Sequence, residues 1–398
     1  MTHADGWRRP EQGRRCFDQL PATVERVLTG ATNGPALEEP LLGERFERLV
    51  FVYLDAFGCM LLDRHAEHPL FARARSQGIV VELTSQFPST TTAEVTTIHS
   101  GLPVAEHGLY EWHVYEPALN RLITPLLFSF AGDGQRGTLA GLLDPDSLFP
   151  AESLHARLTV AGVRSTVLLP AAIAGAVPNI ALLRGAEVLP FTTTEGALAA
   201  AAASLEPGPA HVHVYLDEID SLMHAVGPDD PLVDAGVRLA LDALAEAAFP
   251  PGTLILLTSD HGMSPVDPQR TVYVNDVWPE LTEHLETGAD GKPLAPAGSC
   301  RDLFLHAREG HVEEVCTGLG ERLDAVAEVV PVERLIAEGI FADPGPRLRE
   351  RLANVVVLPR YRESVYWHEP GRFVQKLHGQ HGGLSPQEME IPLVAWVA

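Results

Sequence analysis

The sequence predicts an α/β protein built on a doubly wound, mostly parallel sheet flanked by helices, with a smaller inserted subdomain. Three observations carry that expectation. Runs at residues 49–54 (LVFVYL), 211–216 (HVHVYL) and 254–258 (LILLT) have the apolar, β-branched content of parallel strands covered on both faces. Strand-like runs alternate with helix-like segments along much of the chain, the pattern of a doubly wound sheet. The three runs also lead into acids or imidazoles, at Asp55, Asp220 and Asp260–His261. In open α/β sheets, ligands bind at the C-terminal ends of the strands.

With 398 residues, 45% of them hydrophobic, the chain is long enough for one large domain with an insertion, or for two domains. Residues 1–48 read as a polar leader and a short helix around 20–28, stopped at Gly30. The first strong strand ends at Asp55. A helical segment and the strand GIVVELT (78–84) follow, then FPSTTTAEVTTIHSG, three threonines placed after a Pro-Ser turn and directly before a helix that stops at Gly101. A hydroxyl there stands where free backbone N–H groups and the helix dipole favour a bound phosphate. Threonines at helix starts are also ordinary caps, and the local sequence does not choose among Thr90, Thr91 and Thr92.

Residues 102–150, with Trp112 and Tyr115, read as loops around the site. A helix near 151–161, the strand STVLLP and an alanine-rich helix around 195–204 continue the alternation. The strand beginning at His211 opens into SLMHAVGP, and a helix over 232–247 leads to TLILLTSDHGM. Between 266 and 345 the pattern changes to a small subdomain with the strand RDLFLHA and amphipathic helices near 312–326 and 332–338. NVVVLP and the final HGQHGGLSPQEMEIPLVAWVA are expected to return to the core, so that 49–265 and 346–398 together form it.

A net charge of −24 argues against a nucleic-acid polymer as the main partner, which would need a basic surface. A protein this negative must supply positive charge locally to bind phosphate, and metal ions are one means. The four cysteines show no CxxC spacing, so neither a disulfide framework nor a thiolate zinc site is indicated. No apolar run reaches the length of a membrane span, so no membrane association is expected and the location reads as cytoplasmic.

Asp55, Asp220, Asp260, His224, His261 and His381, with a threonine hydroxyl, make a donor set suited to two divalent ions. Asp220 and His224, spaced i and i+4, can grip one ion from a single helical face. Threonine is a poor nucleophile until its proton is displaced, which metal coordination achieves. Singly, each residue has an ordinary role: Asp55 as a cap, Asp220 and His224 solvated, Asp260–His261 in a turn, His381 in a loop hydrogen bond. Their joint occurrence is what points to chemistry.

The ordered motifs LDAFG, FPSTT…SGLPVAEHG, D-x-x-x-H-x-x-GP, SDHGM and HGG resemble the type I phosphodiesterase/nucleotide pyrophosphatase family of the alkaline phosphatase superfamily, over roughly residues 49–398. The resemblance implies an alkaline-phosphatase-like core and hydrolysis of a small phosphoester, such as a nucleotide. It implies one metal site at Asp220, His224 and His381 and another at Asp55, Asp260 and His261. The pattern F-P-S-x-T makes Thr91 the nucleophile beside the second site, and HGG selects His381 over His378. Zinc is preferred from the His/Asp mixture, and manganese accepts the same ligands.

Two positions depart from the family pattern, Glu94 and Trp112, each standing where the family carries an asparagine. Glu94, three residues after Thr91, can share its side of the helix, where an ionised carboxylate would repel a phosphate oxygen unless it turns away, is protonated or meets another cation. Trp112 and Tyr115 are candidates for stacking on a base. These departures keep open a phosphomonoesterase or phosphonate hydrolase, and a metal-binding protein without turnover is the reading from a different class.

Overall fold

The computed structural model describes residues 6–31 and 33–398; residues 1–5 of the leader and residue 32 lie outside them. Seven strands build the central sheet: β1 (Arg48–Leu54), β2 (Gly78–Thr84), β3 (Arg164–Pro170), β4 (Glu187–Phe191), β5 (Ala210–Leu216), β6 (Leu254–Thr258) and β7 (Glu390–Val397). Their spatial order is β2–β7–β6–β1–β5–β3–β4. Every pairing is parallel except the two made by β7.

The continuous apolar character of β1 follows from its two covered faces. Val50, Val52 and Leu54 join one hydrophobic cluster with Val212, Val214, Ile255 and Leu257. Leu49, Phe51 and Tyr53 join another, with Leu254 and Leu256. Each fully buried aliphatic side chain contributes about 1.5–3 kcal/mol. Helices α1 (Leu20–Thr29) and α2 (Thr91–Ser100) place Leu20, Val24, Val27 and Ile98 on the Phe51 face. Helices α3 (Glu218–Val226) and α4 (Pro231–Glu246) cover the opposite face through Ile219, Met223, Val233 and Leu241. Gly101 ends α2 in the left-handed region, at φ +81°, a conformation that costs glycine little.

A second, antiparallel sheet orders Ala297–Gly298, Leu303–Leu305, Val355–Pro359 and Ala327–Pro331. The run NVVVLP, expected in the core with β7, is therefore a strand of this small sheet. An apolar strand carries no mark of which sheet it joins; the pairing of Val355–Val357 with Leu303–Leu305 decides it. The cluster beneath this sheet is continuous with Phe87, Leu109 and Tyr110, so it packs directly against the chain on either side of α2. Residues 102–150, read as loops, contain the three short antiparallel strands Val114–Glu116, Arg121–Thr124 and Ser129–Phe130. Strands this short leave too little alternation to detect. Among the described residues no helix is long and apolar enough to cross a membrane.

Candidate active site

Strand register brings the first two acids together. Tyr53 of β1 stands opposite Thr258 of β6, so Asp55 and Asp260, two residues further on, leave the same sheet edge side by side. On the other flank the Asp55 N–H donates to Leu216 O of β5 at 2.9 Å. The chain then enters α3, where Asp220 Oδ1 lies 3.3 Å from His224 Nε2, one turn along. His381 arrives from the loop that precedes β7.

Geometry separates the three threonines. Thr90 is the helix cap: its hydroxyl accepts from Ala93 N at 3.4 Å and donates to Tyr110 O at 3.1 Å. Thr92 is buried. Thr91 Oγ1 lies 3.1 Å from His261 Nε2 and so faces the acid and imidazole cluster.

All three imidazoles are oriented alike. Nδ1 of His224 donates to Gly379 O at 2.8 Å, that of His261 to Gly262 O at 2.9 Å, and that of His381 to Ser89 O at 3.0 Å. A carbonyl only accepts, so each Nδ1 carries a proton and each Nε2 is the nitrogen turned toward the cluster. His261 Nε2 lies 3.1 Å from Asp260 Oδ2 and 3.5 Å from Asp55 Oδ1, and His381 Nε2 lies 3.9 Å from Asp220 Oδ1. The His261 and His381 rings stack at 3.6 Å. Glycine after His261 is required by close approach, because a Cβ at Gly262 would fall 2.0 Å from Gln387 O.

Three carboxylate oxygens, Asp55 Oδ1, Asp220 Oδ1 and Asp260 Oδ2, are buried with only the imidazole nitrogens of His224 and His261 beside them. Burial, reinforced by Asp260 and Asp220, pushes the Asp55 carboxyl well above the usual range, and burial also raises Asp220. Burial would raise Asp260 as well, but His261 beside it holds it below its ordinary value. Burial opposes charge on His261, yet Asp260 lifts it to about 9. Left to itself, the cluster retains protons to relieve the repulsion among its acids. The same atoms form two compact donor groups, Asp55/Asp260/His261 and Asp220/His261/His381, that fit divalent cations. His224 flanks the second group through Asp220.

The model of the type I phosphodiesterase/nucleotide pyrophosphatase family matches residues 49–384. The chain belongs to that family. It is thus a hydrolase of phosphoesters, in a metal-dependent family of the alkaline phosphatase superfamily. Among solved structures, murine ectonucleotide pyrophosphatase/phosphodiesterase 5 is similar, at 19% identity, with 87% of each chain covered and a TM-score of 0.63. Phosphonoacetate hydrolase from Sinorhizobium meliloti 1021, in complex with phosphonoformate, is similar at 19% identity, 89% of this chain and 91% of that one, with a TM-score of 0.63. At such identities the likeness concerns the fold. No curated protein matches the chain.

Several residues that position the site of this phosphodiesterase-family chain carry no sequence signal. Tyr215, paired in register with Tyr53, donates its hydroxyl to Asp55 Oδ2 at 2.5 Å. Ser299 Oγ donates to Asp302 Oδ1 at 2.7 Å and lies 3.2 Å from His381 O, anchoring the His381 loop. Asp302 and Glu111 wall in Gly382, where a Cβ would fall 2.7 Å from Asp302 Oδ1 and φ is +120°. Burial raises Glu111 to about 7 and Asp302 well above the usual range.

The three residues expected at the substrate divide. Trp112, 41% exposed, lines both cavities that meet at Thr91, one of about 570 Å³ toward His224 and Lys376 and one of about 180 Å³ toward Tyr215 and Ile173. Glu94 lines neither cavity. Its carboxylate is wholly buried and accepts from Ser85 Oγ at 2.9 Å, Gln86 N at 2.6 Å and Gln86 Nε2 at 2.6 Å. Those donors turn it inward, and burial raises it to about 8. Tyr115 lies in neither cavity; its hydroxyl donates to Asn120 Oδ1 at 3.0 Å and its ring stands 4.8 Å from that of His306. His378 is exposed and meets the site through its backbone, donating to His224 O at 2.9 Å.

Proposed function

We propose that this chain is a two-metal phosphodiesterase of nucleotide-pyrophosphatase type with Thr91 as nucleophile. The observation that carries the reading is the convergence of Thr91 Oγ1 on His261 within a cluster of buried carboxylate oxygens that have only imidazole nitrogens beside them. Asp55, Asp260 and His261 would hold one divalent ion, and Asp220, His224 and His381 the other. Zinc, or manganese with the same donors, would supply the positive charge that favours the threonine alkoxide and neutralises phosphoryl and departing oxygens.

The chain's own groups account for the rest. Thr91 sits at the first turn of α2, where helix-end N–H groups and the dipole favour a phosphoryl anion. Its oxygen bonds to phosphorus as the opposite P–O ester bond breaks, the alcohol departs, and water cleaves the phosphothreonine to restore the hydroxyl. Tyr215 fixes the Asp55 carboxylate, and the carbonyls of Gly379, Gly262 and Ser89 fix the three imidazoles. The two cavities flanking Thr91 suit the two substituents of a diester, and Trp112 offers a face on which a base can stack. One solved structure of the murine relative is an inactive form in complex with AMP, which supports a nucleotide substrate class. The four cysteines are free, in keeping with a cytoplasmic setting.

Trp112, standing where the family pattern has an asparagine, favours one further reading, a phosphonate hydrolase or phosphomonoesterase. The deciding experiment pairs metal analysis with hydrolysis of bis-p-nitrophenyl phosphate and p-nitrophenyl phosphate by wild type and Thr91→Ala. At least two zinc ions per chain and a diester preference lost in Thr91→Ala are expected. A monoester preference moves the assignment to the second reading. Turnover that survives Thr91→Ala removes the threonine mechanism.

A further inference from the structure

We propose that His284, His311 and Glu314 form a separate zinc-class site, away from the cluster at Thr91. His284 ends the short helical segment Pro279–His284, and His311 immediately precedes the helix Val312–Leu323, whose first turn carries Glu314. His284 Nδ1 lies 3.0 Å from His311 Nδ1, and these atoms lie 3.4 and 3.3 Å from Glu314 Oε2. Zinc bonds of about 2.0–2.1 Å in tetrahedral geometry place neighbouring ligand atoms about 3.3–3.4 Å apart. The three atoms thus lie close to one face of such a tetrahedron.

Protons account for this triangle less well than a cation. Both nitrogens and the carboxylate oxygen can offer lone pairs to a common centre, whereas a single shared proton joins two atoms and leaves the third opposed. The arrangement is fixed from outside the triangle: Arg308 N donates to His284 O at 2.8 Å and His311 N donates to Arg308 O at 3.0 Å. The side chains of His284, His311 and Glu314 are 14, 39 and 59% exposed, which leaves a fourth ligand position open to water. None of the three lines either cavity at Thr91. An ion here would staple the Pro279–His284 segment to the helix, beside Trp278, whose ring centroid is 5.0 Å from that of His284.

The test is zinc stoichiometry of the full chain, stripped with chelator and titrated by calorimetry, for wild type, His311→Ala and Glu314→Gln. Wild type is expected to bind one more zinc than His311→Ala, with a weakened extra site in Glu314→Gln and diester hydrolysis retained in both. Zinc should also raise the melting temperature of wild type more than that of His311→Ala. Equal zinc content in wild type and His311→Ala, or an extra ion bound only at millimolar zinc, overturns the proposal. The comparison reads a difference in metal content, so it stands apart from whether Thr91 is the nucleophile.

Discussion

Tyr215→Phe isolates one hydrogen bond of the candidate active site. The substitution removes a hydroxyl and keeps the ring, which stays packed 5.3 Å from Tyr53, so the sheet edge loses no volume. That hydroxyl lies 2.5 Å from Asp55 Oδ2, on a residue only 1% exposed whose other oxygen has no partner. It therefore fixes the rotation of the carboxylate. A hydrogen bond to a charged group has a net worth of about 1.5–3 kcal/mol, or roughly 10- to 150-fold. Outer-shell partners of metal ligands typically account for about 10- to 100-fold in metal affinity, which agrees. The assay is zinc affinity by competition with a chromophoric chelator at fixed pH, alongside turnover at saturating zinc. The dissociation constant is expected to rise about 10- to 100-fold, with turnover largely recovered at saturation. An unchanged constant would refute the claim that Tyr215 positions Asp55 for a cation.

Glu94 makes stability depend on pH. Its carboxyl rises from 4.5 to about 8 on folding, so the stabilisation is complete below pH 4.5 and lost as pH rises through about 8. That shift corresponds to roughly 5 kcal/mol; Glu94→Gln, which stays neutral, should flatten the pH dependence of urea midpoints between about pH 5 and 8, and an unaltered profile would count against it. Glu388→Gln should destabilise the fold by about 3–5 kcal/mol, because it leaves the guanidinium of Arg301 buried without its charge partner; a loss below about 1 kcal/mol in urea unfolding would contradict this. Zinc must displace the protons the cluster retains, among them the one His261 holds up to about 9, so affinity measured by chelator competition should climb at least about tenfold per pH unit from neutrality toward that value. A flat profile would mean that His261 is not a ligand.

The central sheet was legible because burial on both faces writes itself into a sequence. β1, β5 and β6 read as apolar runs, and the change to acid or imidazole marks where each stops. Strand register was not legible, yet register is what sets Asp55 beside Asp260. The threonines show a similar limit. Three identical side chains in a row differ only in what the fold brings to them, the Tyr110 carbonyl to Thr90 and His261 to Thr91. Helical spacing gave Glu94 an angle relative to Thr91 but not the roll of the helix about its axis, and the donors at residues 85 and 86 turn it inward. The small sheet escaped in part because two of its four strands are only two or three residues long. Tyr215 escaped because a strand tyrosine bonded to an acid looks, in sequence, like any core aromatic.

The acids of the candidate site cannot be understood apart from the loop that carries His381. Asp55, Asp220 and Asp260 converge from three segments of a chain that is already strongly negative, and their buried oxygens resist that convergence. His381 brings no positive charge of its own, since burial holds its imidazole well below the usual range. What it brings is a lone pair, aimed by the Ser89 carbonyl and by the loop on which it stands. That loop is braced from the far side: Ser299 reaches the His381 carbonyl, and Glu388, paired with Arg301, accepts from Gly383 N at 3.0 Å and Ser385 Oγ at 2.6 Å. A neutral nitrogen held 3.9 Å from Asp220 Oδ1 relieves none of the repulsion among the acids by itself. It becomes favourable once a cation lies between them, and the bracing reads as the means of holding that nitrogen ready.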